Sequence, residues 1–447
     1  LKKPIKGLTL SPWRGHIALA CWPGGSPVLA GPVQLDDGGE TMSDTLRWRG
    51  SRRQLLTGGV AAGAGLAGLA LVGCGDDDST AAKPTADISI GFISSFTGPL
   101  ATVYAPFVNG AKLAIEEINA AGGVLGVKFN LAQADDQSNP ANVPAAALGL
   151  VDKKVSFCLG PIGSNAISAS PTLNTNKIVQ FGYSDNPKLS DPKTLPYSFR
   201  YVWSPEQSSQ LIVDWYKKQG WTKIAILAEN TVYGQTDAPS TEAYMKKIGL
   251  TPTVFEYFQS GTADFTPLLK KVQDAGSQAI VWWTQGGPEG ASVLTSMNSI
   301  NLKMPIGGIG LYVFGLIGKV SPDILNQAYG FQWKRVTYTD SEKIPEKMIA
   351  LRDKLQKLDQ LGPTGSGLSP FYDMVYHLKA AIEGAKSADS LAVVKWLESH
   401  SYEGVTASYK GITDKDHTVT DVSQITLSVL GSFDDKNIPF YKRAPGL

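Results

Sequence analysis

His377, His400 and His417 are the histidines that follow Met42, and none stands at metal-ligand spacing from another histidine or a cysteine. His377 lies in a helical pattern and is expected to pack or face solvent. No G-x-S-x-G elbow and no H-E-x-x-H pair occurs. GPTGSGLS, residues 362–369, has the glycines of a phosphate loop but lacks the lysine before its final serine, so it reads as a flexible loop. Cys158 sits among Val155, Phe157 and Leu159 and reads as a small buried hydrophobe. Glu116 and Glu117 belong to a solvated helix face. What remains is binding chemistry. Short apolar runs end in hydroxyls, acids and amides: Ser94 and Ser95, Asp135 and Asp136, Ser164, Asp185, Glu229 and Asn230, Gln285. The expectation is a binding protein, with no catalytic residue, no metal and no cofactor.

The elements that must position these groups alternate regularly. ISIGFI (88–93), KFNLAQADD, VSFCLG, KIVQFGY, KIAILAEN, PTVFEYF and AIVWWTQ read as strands. Amphipathic stretches separate them. In the first, Val108, Ala111, Ile115 and Ile118 share one helical face, and Gly122 and Gly123 end it. Apolar strands between such helices imply parallel sheets covered on both faces. Ligands in such sheets sit beyond the carboxyl ends of the strands, where the polar residues fall. The strands are too many for one ordinary sheet, so two α/β lobes are expected. No internal repeat is evident.

A chain of 447 residues has room for about two or three domains. Its composition is globular, with 43% hydrophobic and 18% charged residues. The net charge is +1, and the basic excess belongs to the N-terminal stretch, which argues against a nucleic-acid partner. Cys21, Cys74 and Cys158 are too few and too scattered for a disulfide framework. Before Cys74 runs a positive segment, RWRGSRR (47–53), then the Gly- and Ala-rich apolar stretch 54–73. This is the build of an export signal. Arg52 and Arg53 resemble a twin-arginine signal. LVGC resembles the bacterial lipoprotein box, in which Cys74 would carry the lipid. Residues 74–86 would be a solvated tether. Residues 42–73 are therefore expected to be a lipoprotein signal. Residues 1–41, which begin with Leu, are expected to be an over-extended start ahead of Met42.

Four stretches resemble the type I periplasmic solute-binding proteins, in the branch of the leucine/isoleucine/valine-binding protein. SSFTGPLATVYAPFVNGAKLAIEEINAAGGVLG resembles that family's opening strand, loop and helix. CLGPIGSNAISASPTLNTNKIVQFGYSDNPKLS resembles the segment lining the cleft. KIAILAENTVYGQ is similar to the first strand of lobe two, and FYDMVYHLKAAIEGAKS to the late helix of lobe one. The resemblance runs from about residue 86 onward. It implies two Rossmann-like lobes with parallel sheets, joined by three crossovers, with the ligand cleft between them. Lobe one would be 86–203 with 335–404, and lobe two 204–334 with 405–447.

The resemblance also implies a site. Ser164, with Asn165, would hold a ligand carboxylate. Tyr183, Ser184 and Asp185 stand where the family has small residues and a threonine. Tyr104 would pack on the ligand side chain, Tyr233 would cover it on closure, and Gln285 would reach it from lobe two. Three departures stand out. GGIGLYVFG (307–315) holds no acid where amino-acid binders place one against the ligand ammonium. Gly286 and Gly287 replace a tyrosine. The family's disulfide positions fall near Ser138 and Gly163. Asp185 would therefore face a cation or donor of the ligand, because an unpaired buried acid is costly. Trp282 and Trp283 would serve the site or the core. The expected function is a lipid-anchored, extracytoplasmic solute-binding protein of an ABC importer. Its partners would be a small-molecule ligand, a membrane permease and the membrane through Cys74. Branched-chain or other hydrophobic amino acids are the expected ligands. The alternatives are an aromatic carboxylate or amide, or a ligand-sensing receptor, although no fused transmembrane segment follows before Leu447.

Overall fold

The computed structural model describes residues 83–163, 166–286, 288–311, 316, 318–362, 365–410, 412–433 and 440–447. The expected signal, Met42 and Cys74, together with Ser164, Asn165 and Gly287, lie outside the described residues. The chain runs β1 (Ile88–Ser94), α1 (Ala101–Tyr104), α2 (Val108–Ala120), β2 (Phe129–Asp135), α3 (Val143–Asp152), β3 (Phe157–Ile162), α4 (Ala166–Thr175), β4 (Val179–Tyr183) and β5 (Ser198–Arg200). It continues with α5 (Pro205–Lys218), β6 (Ile224–Glu229), α6 (Val232–Lys247), β7 (Val254–Phe258), α7 (Thr266–Asp274), β8 (Ala279–Trp283), α8 (Pro288–Ser299), β9 (Ile306–Ile309), α9 (Pro322–Leu325) and β10 (Ala328–Trp333). Then follow β11 (Thr337–Tyr338), α10 (Glu346–Lys357), α11 (Phe371–Ala385), α12 (Ser390–Leu397), β12 (Tyr402–Glu403), β13 (Ser408–Tyr409), β14 (Ile425–Val429) and β15 (Tyr441–Lys442).

Two sheets result. The first has the order β2-β1-β3-β4-β5 and is parallel throughout. The second has the order β14-β10-β9-β8-β6-β7, parallel except for the antiparallel strand β14. Without β14, the second sheet repeats the order of the first, with β6 in the place of β1. In each the order reverses beside the first strand, so each has a crevice at its carboxyl edge. Strands β3, β6 and β8 are buried along their whole length, which is why they read as continuous apolar runs rather than as alternations.

Three apolar clusters hold these layers. An outer cluster of lobe one packs Ile93 and Cys158 against Val143, Leu150 and Leu173. An outer cluster of lobe two packs Leu227, Ile280 and Trp282 against Leu269, Val293 and Met297. The largest cluster joins α2 and α11 of lobe one to α5 and α6 of lobe two through the segments between the lobes.

The chain passes between lobes three times. The first passage follows β5 and ends at a capping box. Ser204 Oγ accepts from the Gln207 amide at 3.2 Å, and Gln207 Oε1 accepts from the Ser204 amide at 2.8 Å. Pro205 at the first turn and Lys217 and Lys218 at the last complete the helix signals, so α5 starts where the lobe changes. The second passage lies between β10 and α10. The third comes late. Thr418 bridges Arg200 of β5, and His417 Nδ1 hydrogen-bonds the Ser198 carbonyl at 2.8 Å, before the chain joins the second sheet at Ile425.

Candidate functional site

A cavity of about 230 Å³ lies between the two sheets, at the carboxyl ends of their strands. Lobe one lines it with Tyr104, Phe107, Tyr183, Ser184 and Asp185, and lobe two with Tyr233, Gln285, Leu311 and Phe331. The inter-lobe segments add Val202, Trp203, Trp333 and Val336.

Local sequence explains these placements. Tyr233 follows β6 on a tight turn. A Cβ on Gly234 would lie 2.0 Å from the Glu229 carbonyl, so only glycine lets α6 start there and project Tyr233 into the cleft. Gly308 allows β9 to run against β8, since a Cβ there would sit 1.7 Å from the Trp282 carbonyl. Glu229 is buried behind the strand ends. Its carboxylate accepts from Ser260, from Thr284 Oγ1 at 2.7 Å and from the Gln285 amide at 3.3 Å, which fixes the loop carrying Gln285.

The two lips touch. Tyr104 Oη donates to the Gln285 carbonyl at 2.9 Å across the cleft. Aromatic rings continue around the wall. Phe107 lies 5.9 Å from Tyr104 and 5.6 Å from Tyr183, and Trp203 meets Trp333 edge-on at 5.2 Å. Trp333 Nε1 donates to Tyr183 Oη at 3.3 Å. The cavity is thus an apolar box with few polar points, the usual build of a small-molecule site.

Asp185 is the acid of this wall. From the sequence it is expected to face a cation or donor of the ligand. Arg200 Nη1 donates to the Asp185 backbone carbonyl at 3.2 Å, while Oδ2 of Asp185, like that of the buried Asp237 on α6, has no hydrogen-bond partner among the described residues. Burial pushes Asp185 up to about 6, against the pull of the Arg200 charge. Burial and the charge of Asp185 push Asp237 well above the usual carboxylate range.

Of the residues singled out from the sequence, Tyr104, Tyr183, Ser184, Asp185, Tyr233 and Gln285 all line the cavity. Asp135 and Asp136 do not line it. They clamp the loop after β1, through Thr97 Oγ1 at 2.7 Å and Ser95 Oγ at 2.6 Å. Trp282 and Trp283 are both fully buried behind the wall. Trp282 stacks on Phe258 at 4.6 Å, and Trp283 stacks on Phe331 at 5.6 Å. Sequence reasoning missed Phe107, Trp203, Phe331 and Trp333. The last three stand where strands leave one lobe for the other, and that position was their only signal. It also missed Gly365, Leu368 and Ser369, since the supposed flexible loop forms part of the wall. Cys158 is a buried free thiol, and burial raises its pKa. His377 is buried, bonded to Tyr201 Oη at 2.9 Å, and held neutral by burial that pushes its pKa down to about 3. Among the described residues no cluster of His, Cys, Asp and Glu could hold a metal, and no helix is long and apolar enough to cross a membrane.

A family model described as periplasmic binding protein matches residues 87–427. The chain belongs to that family. A Leu/Ile/Val-binding protein homolog of Brucella melitensis is 26% identical over 361 residues, covering 80% of this chain and 91% of the relative. A branched-chain amino acid transporter substrate binding protein of Streptococcus pneumoniae, solved with isoleucine, superposes with a TM-score of 0.64 at 21% identity, covering 80% of this chain and 99% of that one. An ABC transporter solute binding protein from R. palustris, solved with 4-hydroxybenzoate, gives 0.65 at 19% identity, covering 80% and 96%. The fold is that of the type I periplasmic binding proteins. The family implies export, and the relatives are named as binding proteins.

Proposed function

We propose that this chain is the extracytoplasmic solute-binding subunit of an ABC importer, held at the membrane by a lipid on Cys74. It closes its two lobes on a branched-chain or other hydrophobic amino acid. The observation that carries the reading is the cavity. At about 230 Å³, it suits a small solute rather than a polymer, and its wall is largely apolar, with Ser184, Asp185 and Gln285 as polar points. On this reading Ser164, Asn165 and Ser184 hold the ligand carboxylate, and Asp185 faces the ammonium. Tyr104, Phe107 and Tyr233 pack on the side chain. The relatives named for leucine, isoleucine and valine support the ligand class.

A second reading has its own observation. Phe107, Tyr183, Trp203, Phe331 and Trp333 form an unusually aromatic wall, and no acid stands in 307–315. Both features suit an aromatic carboxylate, and one structural neighbour was solved with such a ligand. Thermal unfolding against branched-chain amino acids, aromatic amino acids and aromatic acids separates the two. A ligand at about 100 times its dissociation constant adds about 2.7 kcal/mol. A shift with leucine, isoleucine or valine that is lost in Asp185→Asn supports the first reading. A shift only with acids lacking an α-amino group replaces it with the second. No shift with any of them overturns both.

A further inference from the structure

Arg335 stands between two residues of the cavity wall, Trp333 and Val336, without belonging to that wall itself. The chain on both sides of it is part of lobe two. β10 lies in the second sheet. Thr337 and Tyr338 of β11 pair with Tyr441 and Lys442 of β15, and Arg443, next in line, bridges Ser428 of β14. The Arg335 guanidinium reaches the other way. Nη1 donates to the Gly404 carbonyl at 2.6 Å, and Nη2 donates to Ser408 Oγ at 2.8 Å and to the Glu403 carboxylate. Ser408 Oγ donates in turn to Glu403 Oε2 at 2.5 Å.

These acceptors sit on one hairpin, β12–β13, in which Glu403 pairs with Ser408. Lobe one holds that hairpin. Asp373, buried on α11, accepts from the Val405 amide at 2.8 Å, the Thr406 amide at 2.7 Å and Tyr409 Oη at 2.8 Å. α11 itself packs on α2. A Cβ on Gly404 would lie 2.4 Å from Asp373 Oδ2, so the hairpin turn closes tightly on this carboxylate. The Ser408 amide donates to Gln424 Oε1 at 2.9 Å, so the same hairpin braces the third passage. A planar guanidinium bound at three points has little freedom to follow its acceptors. Arg335 must move with β10 and β11, and the hairpin must move with α11. A rotation that parts the lips therefore pulls the fork from its acceptors.

We propose that Arg335 is a positioning residue for ligand capture: it clasps the hairpin 402–409 across the hinge and so holds Trp333 and Val336 in the wall of the shut cleft. It touches no ligand. It acts by favouring the arrangement in which the cavity wall is assembled. A ligand that binds the shut state is released more slowly while the clasp is made. The Arg335 side chain is 25% exposed and that of Glu403 60%, so salt screens the charged part of the clasp. The inference rests on the two-lobed capture of the proposed function but on no particular ligand.

The test uses the full chain. Without ligand, X-ray scattering should give Arg335→Ala a larger radius of gyration than wild type. Arg335→Lys keeps the charge but not the fork, and should not restore the wild-type radius. With L-leucine as the probe, stopped-flow dissociation should be about tenfold faster in Arg335→Ala, the scale for losing hydrogen bonds to a charged group, with association little changed. Added salt should speed dissociation from wild type and do less to Arg335→Ala. An arginine that merely stabilises the fold would lower the urea midpoint and leave radius and dissociation rate as in wild type; that result overturns the proposal. So does full rescue by Arg335→Lys. If Arg335→Ala does not fold, Glu403→Gln decides it, since it removes the charge and leaves the Gly404 and Ser408 acceptors. A radius and a dissociation rate equal to wild type in that variant also overturn the clasp. If leucine does not bind, 4-hydroxybenzoate takes its place. If neither binds, the ligand assignment falls and the radius still decides the clasp.

Discussion

The two lobes share one strand order and use it differently. In lobe one the strand ends carry bulky side chains: Tyr183 and Asp185 beyond β4, and Tyr104 beyond β1. At the matching place in lobe two, the end of β9, the wall includes Gly308 and Gly310. The bulk of lobe two sits behind that wall, in Trp282 and Trp283. At these matching strand ends lobe one supplies side chains and lobe two gives clearance over a stiff aromatic backing, its own contacts coming from Tyr233, Gln285 and Phe331. A shared topology thus places the crevice in both halves but does not decide which half supplies the recognition.

That contrast can be broken at its outer cores first. Trp282→Ala removes the ring that stacks on Phe258 and meets Phe265 edge-on, and should cost about 3–5 kcal/mol in urea unfolding. Cys158→Ala at the same depth in lobe one should cost about 1 kcal/mol, since much less volume is lost. Equal losses would mean that the lobes do not differ as described.

The matching glycines come next. Gly308→Ala on β9 drives a Cβ into the Trp282 carbonyl and should cost about 1–3 kcal/mol. Gly182→Ala on β4 meets a leucine side-chain methyl at 3.2 Å and should cost distinctly less, because that side chain can move. Urea midpoints of the two variants settle the order.

The pH responses of core and cleft should have opposite signs. His377 has a depressed pKa, so the unfolded chain binds its proton more readily. Its contribution is present above about pH 6.5 and is lost as pH falls toward about 3, by at most about 1.4 kcal/mol per pH unit. Asp185 is raised from 3.8 to about 6, so the folded chain binds the extra proton. Stability then declines as pH rises through that window. Urea unfolding across pH should lose the first trend in a His377→Phe variant and the Asp185 part of the second in Asp185→Asn.

The smallest effect is at the lips. Tyr104→Phe removes one cross-cleft hydrogen bond, worth about 0.5–1.5 kcal/mol, and should weaken ligand binding by about tenfold at most. Calorimetry with leucine, or with the acid that stabilises the protein instead, reads it. An unchanged affinity would show that this contact does not favour the closed state.

The strands were legible because buried parallel strands leave runs such as KIAILAEN, and the first long helix because Val108, Ala111, Ile115 and Ile118 share one face and Gly122 and Gly123 end it. Asp185 and Gln285 were legible because polar residues closing a strand face the crevice of a doubly wound sheet, and Tyr104, Tyr183, Ser184 and Tyr233 because they stand at positions the family resemblance marks. The duplicated strand order was not legible, since two sheets can share a topology without sharing residues.

By itself, then, the sequence determined the alternation of elements, the lobe-one side of the cleft and the absence of an acid in 307–315. Those features are local, set by periodicity and by neighbours within a few residues. Only the tertiary structure decided that Asp185 is buried beside Arg200, that Trp203 and Trp333 close the wall, and that Gly365, Leu368 and Ser369 line it. Each joins segments far apart in the chain, and their charges and rings interact only after the lobes have packed and excluded water.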